Sequence, residues 1–273
     1  MEIAKTLSKL KLVGFFGWLF LVVLGTISCR NKVPEAVDRS ATNDKAVAAE
    51  SISKADDLYR EREDLSKVRQ ALALLRQART ADYGSYEAAW RLAKFNYYLG
   101  DHTDNDRERD AAFREGIEAG KIAVQLADDK PEGHFWLGAN YGGSAEDSVV
   151  AGLANVEDIR REMEAVLKID EGYQSGSAYL GLGELYLRAP RILGGDTEKA
   201  INYLEQGLKF GSNNALLRVR LAEAYEAANR DGDARREIEF IMKMTPHPDY
   251  IPEQKQAIEE ARKLLEKMDR NRR

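Results

Sequence analysis

Side chains suited to bond-making chemistry are few and scattered. Cys29 is the one cysteine, and the histidines are His102, His134 and His247. A second cysteine would be needed for an internal disulfide, and four Cys or His ligands for a structural zinc site. Neither can form. His134 lies in the run Glu132-Gly-His-Phe-Trp-Leu-Gly-Ala-Asn-Tyr-Gly-Gly143, with Asn140 on the same stretch. No cysteine, serine–acid pair or second histidine accompanies it, so it completes no catalytic set and reads as a packed helix residue. In Arg188-Ala-Pro-Arg-Ile-Leu-Gly-Gly-Asp196, Arg188 and Arg191 could meet an anionic group. Arginines so placed more often pair with neighbouring acids, which is the expectation here. The chain therefore reads as a non-enzyme with no cofactor and no metal.

Bulk properties narrow the alternatives. The 273 residues carry a net charge of −5. Met1–Ser28 is itself basic, with Lys5, Lys9 and Lys11 against Glu2, so the rest of the chain is more acidic than the total. An acidic body argues against nucleic acid as the partner. Leu12 to Ile27 is an uncharged, mostly apolar run. It is shorter than the ~20 residues of a spanning helix and fits the apolar region of a secretory signal. It ends in Thr26-Ile27-Ser28-Cys29. A small residue before a cysteine at that point resembles a bacterial lipoprotein signal, with Thr26 standing where leucine is more usual. The resemblance implies that Cys29 is lipidated and becomes the N-terminus, and that the body faces the periplasm from a membrane of the cell envelope. Several acyl chains hold a protein on a membrane stably where one does not. Residues 1–29 are thus the signal segment. Residues 30–50, polar and without an apolar period, read as a flexible tether.

From residue 51 to 269 the apolar residues recur with helical spacing. A first short helix is expected over Ser53–Arg62 and a second over Leu65–Thr80, with Val68, Leu72, Leu75 and Ala78 as its stripe. The clearest unit is Gly176–Ser212. Tyr179, Leu182, Gly183 and Tyr186 share one helix face, and Ala200, Leu204 and Gly207 share the face of the next. A large–Leu–Gly–Tyr helix followed by an Ala–large–small helix is the pattern of the tetratricopeptide repeat, or TPR. His134, Leu137, Gly138 and Tyr141 hold the same four offsets, Leu221, Ala222 and Tyr225 hold three, and Trp90, Ala93, Lys94 and Tyr97 hold them loosely. The expected fold is all-α: a TPR-like α-solenoid of about four irregular helix-pair units, with Glu253–Met268 as a C-terminal capping helix. Leu137 to Leu182 spans 45 residues and Leu182 to Leu221 spans 39, against about 34 for a TPR. The excess is assigned to insertions at 144–155, after a helix break at Gly142-Gly143-Ser144, and at 188–196.

In such a fold the first helix of each pair lines a concave surface. The offsets place Arg91, Phe95, Tyr98 and Leu99 there, then Phe135, then Leu180, Glu184, Leu187 and Arg188, then Val219 and Glu223. Arg91, Phe95, Tyr98, Phe135, Leu180, Glu184, Leu187 and Arg188 are the candidate ligand residues. Half the surface is apolar, as small-ligand sites are. Either the insertions roof it, giving a channel for an apolar molecule, or a partner covers it; alternatively the insertions cover the face and these side chains are simply core. No Lys or Asn falls at these positions to grip a peptide terminus.

HFWLGANYGG followed by LYLRAPRILGGD, behind the lipoprotein signal, resembles the T-component (TatT) family of TPR lipoproteins over roughly residues 55–250. That resemblance implies an accessory role in TRAP-type, binding-protein-dependent uptake. The partner it implies is the periplasmic solute-binding subunit, with an apolar small ligand bound or passed on. The alternative is a TPR scaffold that organises envelope complexes without a small ligand. Nothing in the sequence argues for a homo-oligomer or against one.

Overall fold

A computed structural model describes residues 39–146, 149–245 and 250–271. The signal segment, Cys29 and tether positions 30–38 lie outside the described residues, as do Pro246 and His247. The described residues are mostly α-helical, with a short 3-10 turn at Arg191–Leu193. The helices are α1 (Arg39–Tyr59), α2 (Leu65–Ala81), α3 (Tyr86–His102), α4 (Asp106–Leu126), α5 (Pro131–Glu146), α6 (Val149–Ile169), α7 (Tyr173–Arg188), α8 (Thr197–Gly207), α9 (Ala215–Ala227), α10 (Asp231–Lys243) and α11 (Ile251–Asn271). Consecutive helices pair as antiparallel hairpins, and α1, α3, α5, α7, α9 and α11 stack side by side. The chain is an α-solenoid of TPR-like hairpins closed by a terminal helix. The four expected units are α3–α4 to α9–α10, preceded by the hairpin α1–α2. None of the described helices is long and apolar enough to cross a membrane.

Local chemistry sets the helix ends. Asp64, Ser85, Asn105, Asp196 and Asn214 each accept a hydrogen bond from a first-turn amide of α2, α3, α4, α8 and α9 respectively. These amides have no partner within their own helix, so the cap supplies one. At the entry to α7 the backbone is left-handed at Gln174, Ser175 and Gly176. Gly176 suits that conformation, and a Cβ on it would stand 2.7 Å from the carbonyl oxygen of Gly207. The α7–α8 hairpin closes on that contact.

Three expectations change. Residues 39–50 belong to α1, not to a tether. Its buried stripe is small and partly polar (Ala48, Ser51, Ala55), so a scan for large apolar residues passes over it. Next, Gly142-Gly143 does not break α5, which continues to Glu146, and α6 starts at Val149. The expected insertion at 144–155 is mostly helix. Gly143 is there for packing, since a Cβ on it would overlap the Phe113 ring. Likewise Gly100 sits inside α3, which ends at His102, and a Cβ there would lie 2.7 Å from the same ring. The long repeat is accommodated by longer helices. Of the expected insertion at 188–196, residues 189–196 form a loop after Arg188 ends α7, with Ile192 at its tip 91% exposed.

The third change is a register. The Leu–small–polar triplet of α5 (Leu137, Gly138, Tyr141) and α7 (Leu182, Gly183, Tyr186) has its counterpart in α3 at Leu92, Ala93 and Asn96. Leu92 to Leu137 is again 45 residues. Ala89, Leu92, Ala93 and Asn96 are all buried. The pattern built on Trp90, Ala93, Lys94 and Tyr97 is one residue late. The inner-face position assigned to Phe95 is therefore held by Lys94, and that assigned to Arg91 by Trp90.

Candidate functional site

The inner face of the solenoid is built by α3, α5, α7 and α9, with α11 at one end. The structure does not join the expected apolar residues into one open surface. Phe95 is 1% exposed, its ring stacked on Tyr59 of α1 at 3.9 Å, and Tyr98 meets the same Tyr59 ring edge-on at 5.6 Å. Phe135 packs against Trp136 and Tyr173. Leu180 and Leu187 join the separate core formed by α8 to α11. None of these five lines either of two surface recesses. One, of about 460 Å³, lies between α7 and α8 beside Tyr179, Tyr186 and Tyr203; the other lies beside Arg69, Asn96 and Glu115. Phe95 and Tyr98 are core, while Phe135, Leu180 and Leu187 are half-buried against the cores; a one-residue slip turns a helix position by about 100°, enough to carry Phe95 from groove to interior.

Charged side chains form the inner face. Arg220 of α9 donates to Glu184 of α7 at 2.6 Å and to Glu223 at 3.3 Å, and pairs with Glu260 of α11. Arg188 reaches Glu184 at 3.4 Å and Glu223 at 3.8 Å, as expected for an arginine beside acids. Burial disfavours the Arg220 charge, but the surrounding carboxylates outweigh it and raise its pKa. Desolvation also raises the Asp101 and Glu223 carboxyls, opposed by His102 beside Asp101 and by Arg220 and Arg188 beside Glu223, with neighbouring acids adding to the rise. Carboxylates thus crowd this end of the face.

At the other end, Arg91 donates to Asp56 of α1 at 2.9 Å and pairs with Glu87 at 2.5 Å. Arg62, just after α1, donates to both oxygens of Glu253 at 2.8 and 2.9 Å. Lys255 pairs with Glu63 at 2.7 Å. Residues 191 and 192 positions apart are thus joined, so the solenoid curls until its terminal helix meets its first hairpin. Sequence spacing carries no signal of that closure.

His134 is a packed residue. One ring nitrogen bonds Glu162 at 2.7 Å and the other the Asp128 carbonyl at 3.0 Å, and the Glu162 bond holds its pKa above the usual value against desolvation. Burial would raise the Glu162 carboxyl, but hydrogen bonds from His134 and Arg161 lower it. Asn140, wholly buried, donates to the Ala93 carbonyl at 3.0 Å and the Trp136 carbonyl at 2.7 Å, tying α5 to α3. Among the described residues no group of three or more His, Cys, Asp or Glu converges as a metal site.

Comparison with known proteins agrees with this architecture. The protein-family model described as "regulator of microtubule dynamics protein 1-3" matches residues 51–183, from α1 into α7. No curated protein matches. Among solved structures, TTC0263, a thermophilic TPR protein of Thermus thermophilus, superposes with a TM-score of 0.56 at 18% identity, over 81% of this chain and 98% of that one. MamA (TM-score 0.48, 16% identity, 80% of this chain and 94% of that one) is more distant. So is YrrB, described as a TPR protein with an unusual peptide-binding site (TM-score 0.45, 13% identity, 82% and 97%). The fold is that of a TPR protein.

Proposed function

We propose that the chain is a non-catalytic scaffold that takes a segment of a partner protein on the inner face of α3, α5, α7 and α9. The observation that carries this is the make-up of that face. Its positions hold Trp90, Lys94, Phe135, Glu184, Arg188 and Glu223, a mixed aromatic and charged lining on stacked rigid helices, and the aliphatic Leu180 and Leu187 beside them are half-buried against a core. Such a surface suits a polar, extended segment better than an apolar small molecule. The test is site-specific photocrosslinking in the native host. A benzophenone amino acid at Trp90 or Arg188 should give one discrete protein adduct. At Tyr83, 73% exposed in the turn between α2 and α3, it should not. Equal ladders from all three positions, or no adduct from the inner pair, would overturn the reading.

A finer version makes the protein an envelope lipoprotein held by Cys29, serving a TRAP-type uptake system and contacting its solute-binding subunit. The Thr26–Cys29 signal and the HFWLGANYGG and LYLRAPRILGGD runs support it. Its apolar-ligand part draws no support from the packing, because Phe95 and Tyr98 are buried and Phe135, Leu180 and Leu187 pack half-buried against separate clusters rather than lining one cavity. Under this version the crosslinked adduct is the solute-binding subunit.

A further inference from the structure

Each arginine on the inner face already meets a carboxylate: Arg62 meets Glu253, Arg91 meets Asp56, Arg188 meets Glu184, and Arg220 meets Glu184, Glu223 and Glu260. Lys94 breaks the pattern. It occupies the α3 position equivalent to Glu184 of α7 and Glu223 of α9. Its Nζ stands 5.0 Å from the centre of the Tyr59 ring and 5.6 Å from that of Trp136. Among the described residues no carboxylate reaches it. The charged groups around it are Arg62, Arg91, Asp56 and Glu253, and the two acids are taken by the two arginines. Burial and those arginines push the Lys94 ammonium down to about 8. An ammonium held among aromatic rings, beside like charges and without a counter-ion, gains from any anion that can enter.

We infer that Lys94, walled by Tyr59 and Trp136, is the docking point for one carboxylate, an Asp or Glu side chain of the partner segment. This rests on the scaffold reading above. A monoanion fits better than a phosphate, because Lys94, Arg62 and Arg91 against Asp56 and Glu253 leave a single positive charge to balance. Further along the same face, Asp101, Glu184, Glu223 and Glu260 outnumber Arg188 and Arg220. The bound segment should therefore carry its acid at Lys94 and basic residues toward α7, α9 and α11. Lys94 is a compact point charge with rotatable donors, suited to a lone side-chain carboxylate rather than a bidentate clamp.

The test follows the ¹³Cε resonances of labelled lysines in the full chain across a pH series, with the Lys94 signal identified by its loss in K94M. Chloride, acetate and phosphate are compared at matched ionic strength. Acetate at about 0.2 M, standing for the side-chain carboxylate, should raise the Lys94 midpoint by about half a unit or more relative to chloride. Other lysines should not move, and phosphate should do less than acetate. An acetate midpoint equal to that in chloride overturns the proposal. So does a larger shift in phosphate, which would point to a phosphorylated partner or lipid headgroup. In the crosslinking experiment, K94M should cut the adduct from position 188 about tenfold, the loss of ~1.4 kcal/mol of binding. An undiminished adduct overturns the carboxylate site and leaves the scaffold standing. No adduct even with Lys94 present overturns the scaffold itself.

Discussion

Gly116 offers a sharp test of how the hairpins are held together. It lies in α4, where a Cβ would fall inside Asn140 Oδ1 and within 2.8 Å of Nδ2. Asn140 cannot swing aside freely, because its amide holds the Ala93 and Trp136 carbonyls and has no exposure to solvent. Gly116→Ala gains about 1 kcal/mol of helix propensity. Against this stand overpacking of about 1–3 kcal/mol and two side-chain hydrogen bonds worth about 1 kcal/mol each. The expected net loss is about 3 kcal/mol, a drop in Tm of about 6–12 °C for a body of this size. Circular dichroism melts measure it. Gly142→Ala is the control: it sits in a helix with nothing within 4 Å of its Cβ position, and it should gain up to about 1 kcal/mol. In an Asn140→Ala background the obstruction is gone, so Gly116→Ala should there be neutral or stabilising. If Gly116→Ala melts with Gly142→Ala, or loses as much without Asn140 as with it, the α4–α5–α3 linkage is wrong.

Gly183→Leu should destabilise by roughly 3 kcal/mol or more, because a Cβ at Gly183 already stands 2.7 Å from Cδ2 of buried Leu204; an unchanged Tm would mean the α7–α8 contact is misplaced. The His134–Glu162 pair sets a pH dependence. The raised His134 pKa contributes stability that is full below the unfolded value of about 6.5 and lost as pH rises through the folded value. The lowered Glu162 pKa contributes stability that is present above about 4.3 and lost on acidification through its folded value. Urea midpoints should therefore show an advantage of wild type over H134Q, of order 1–2 kcal/mol near pH 6, that shrinks toward pH 9; a constant difference across that range refutes the assignment. Cys29→Ser should leave the leader uncleaved or the protein released from membranes. Identical fractionation and leader retention in both forms would refute the lipoprotein reading.

The solenoid could be read from sequence because its signal is local. Leu182-Gly183 and Leu137-Gly138 put a large and a small residue side by side on one helix face, a pattern that recurs along the chain. Lys94 escaped because α3 carries Ala93 and Asn96 where α5 and α7 have glycine and tyrosine. Trp90 and Tyr97, one residue late, imitate the aromatic positions. The start of α1 was hidden for a similar reason: Ala48, Ser51 and Ala55 bury well but leave a weak apolar period. Tertiary structure alone decided which helix faces remained free. Phe95 is core because Tyr59 stacks on it, Arg62 is neutralised because α11 curls back to bring Glu253 beside it, and Lys94 is left without a counter-ion because both nearby acids are taken. Helical periodicity says which residues share a face. What stands opposite that face depends on contacts between residues far apart in the chain, and spacing does not encode them.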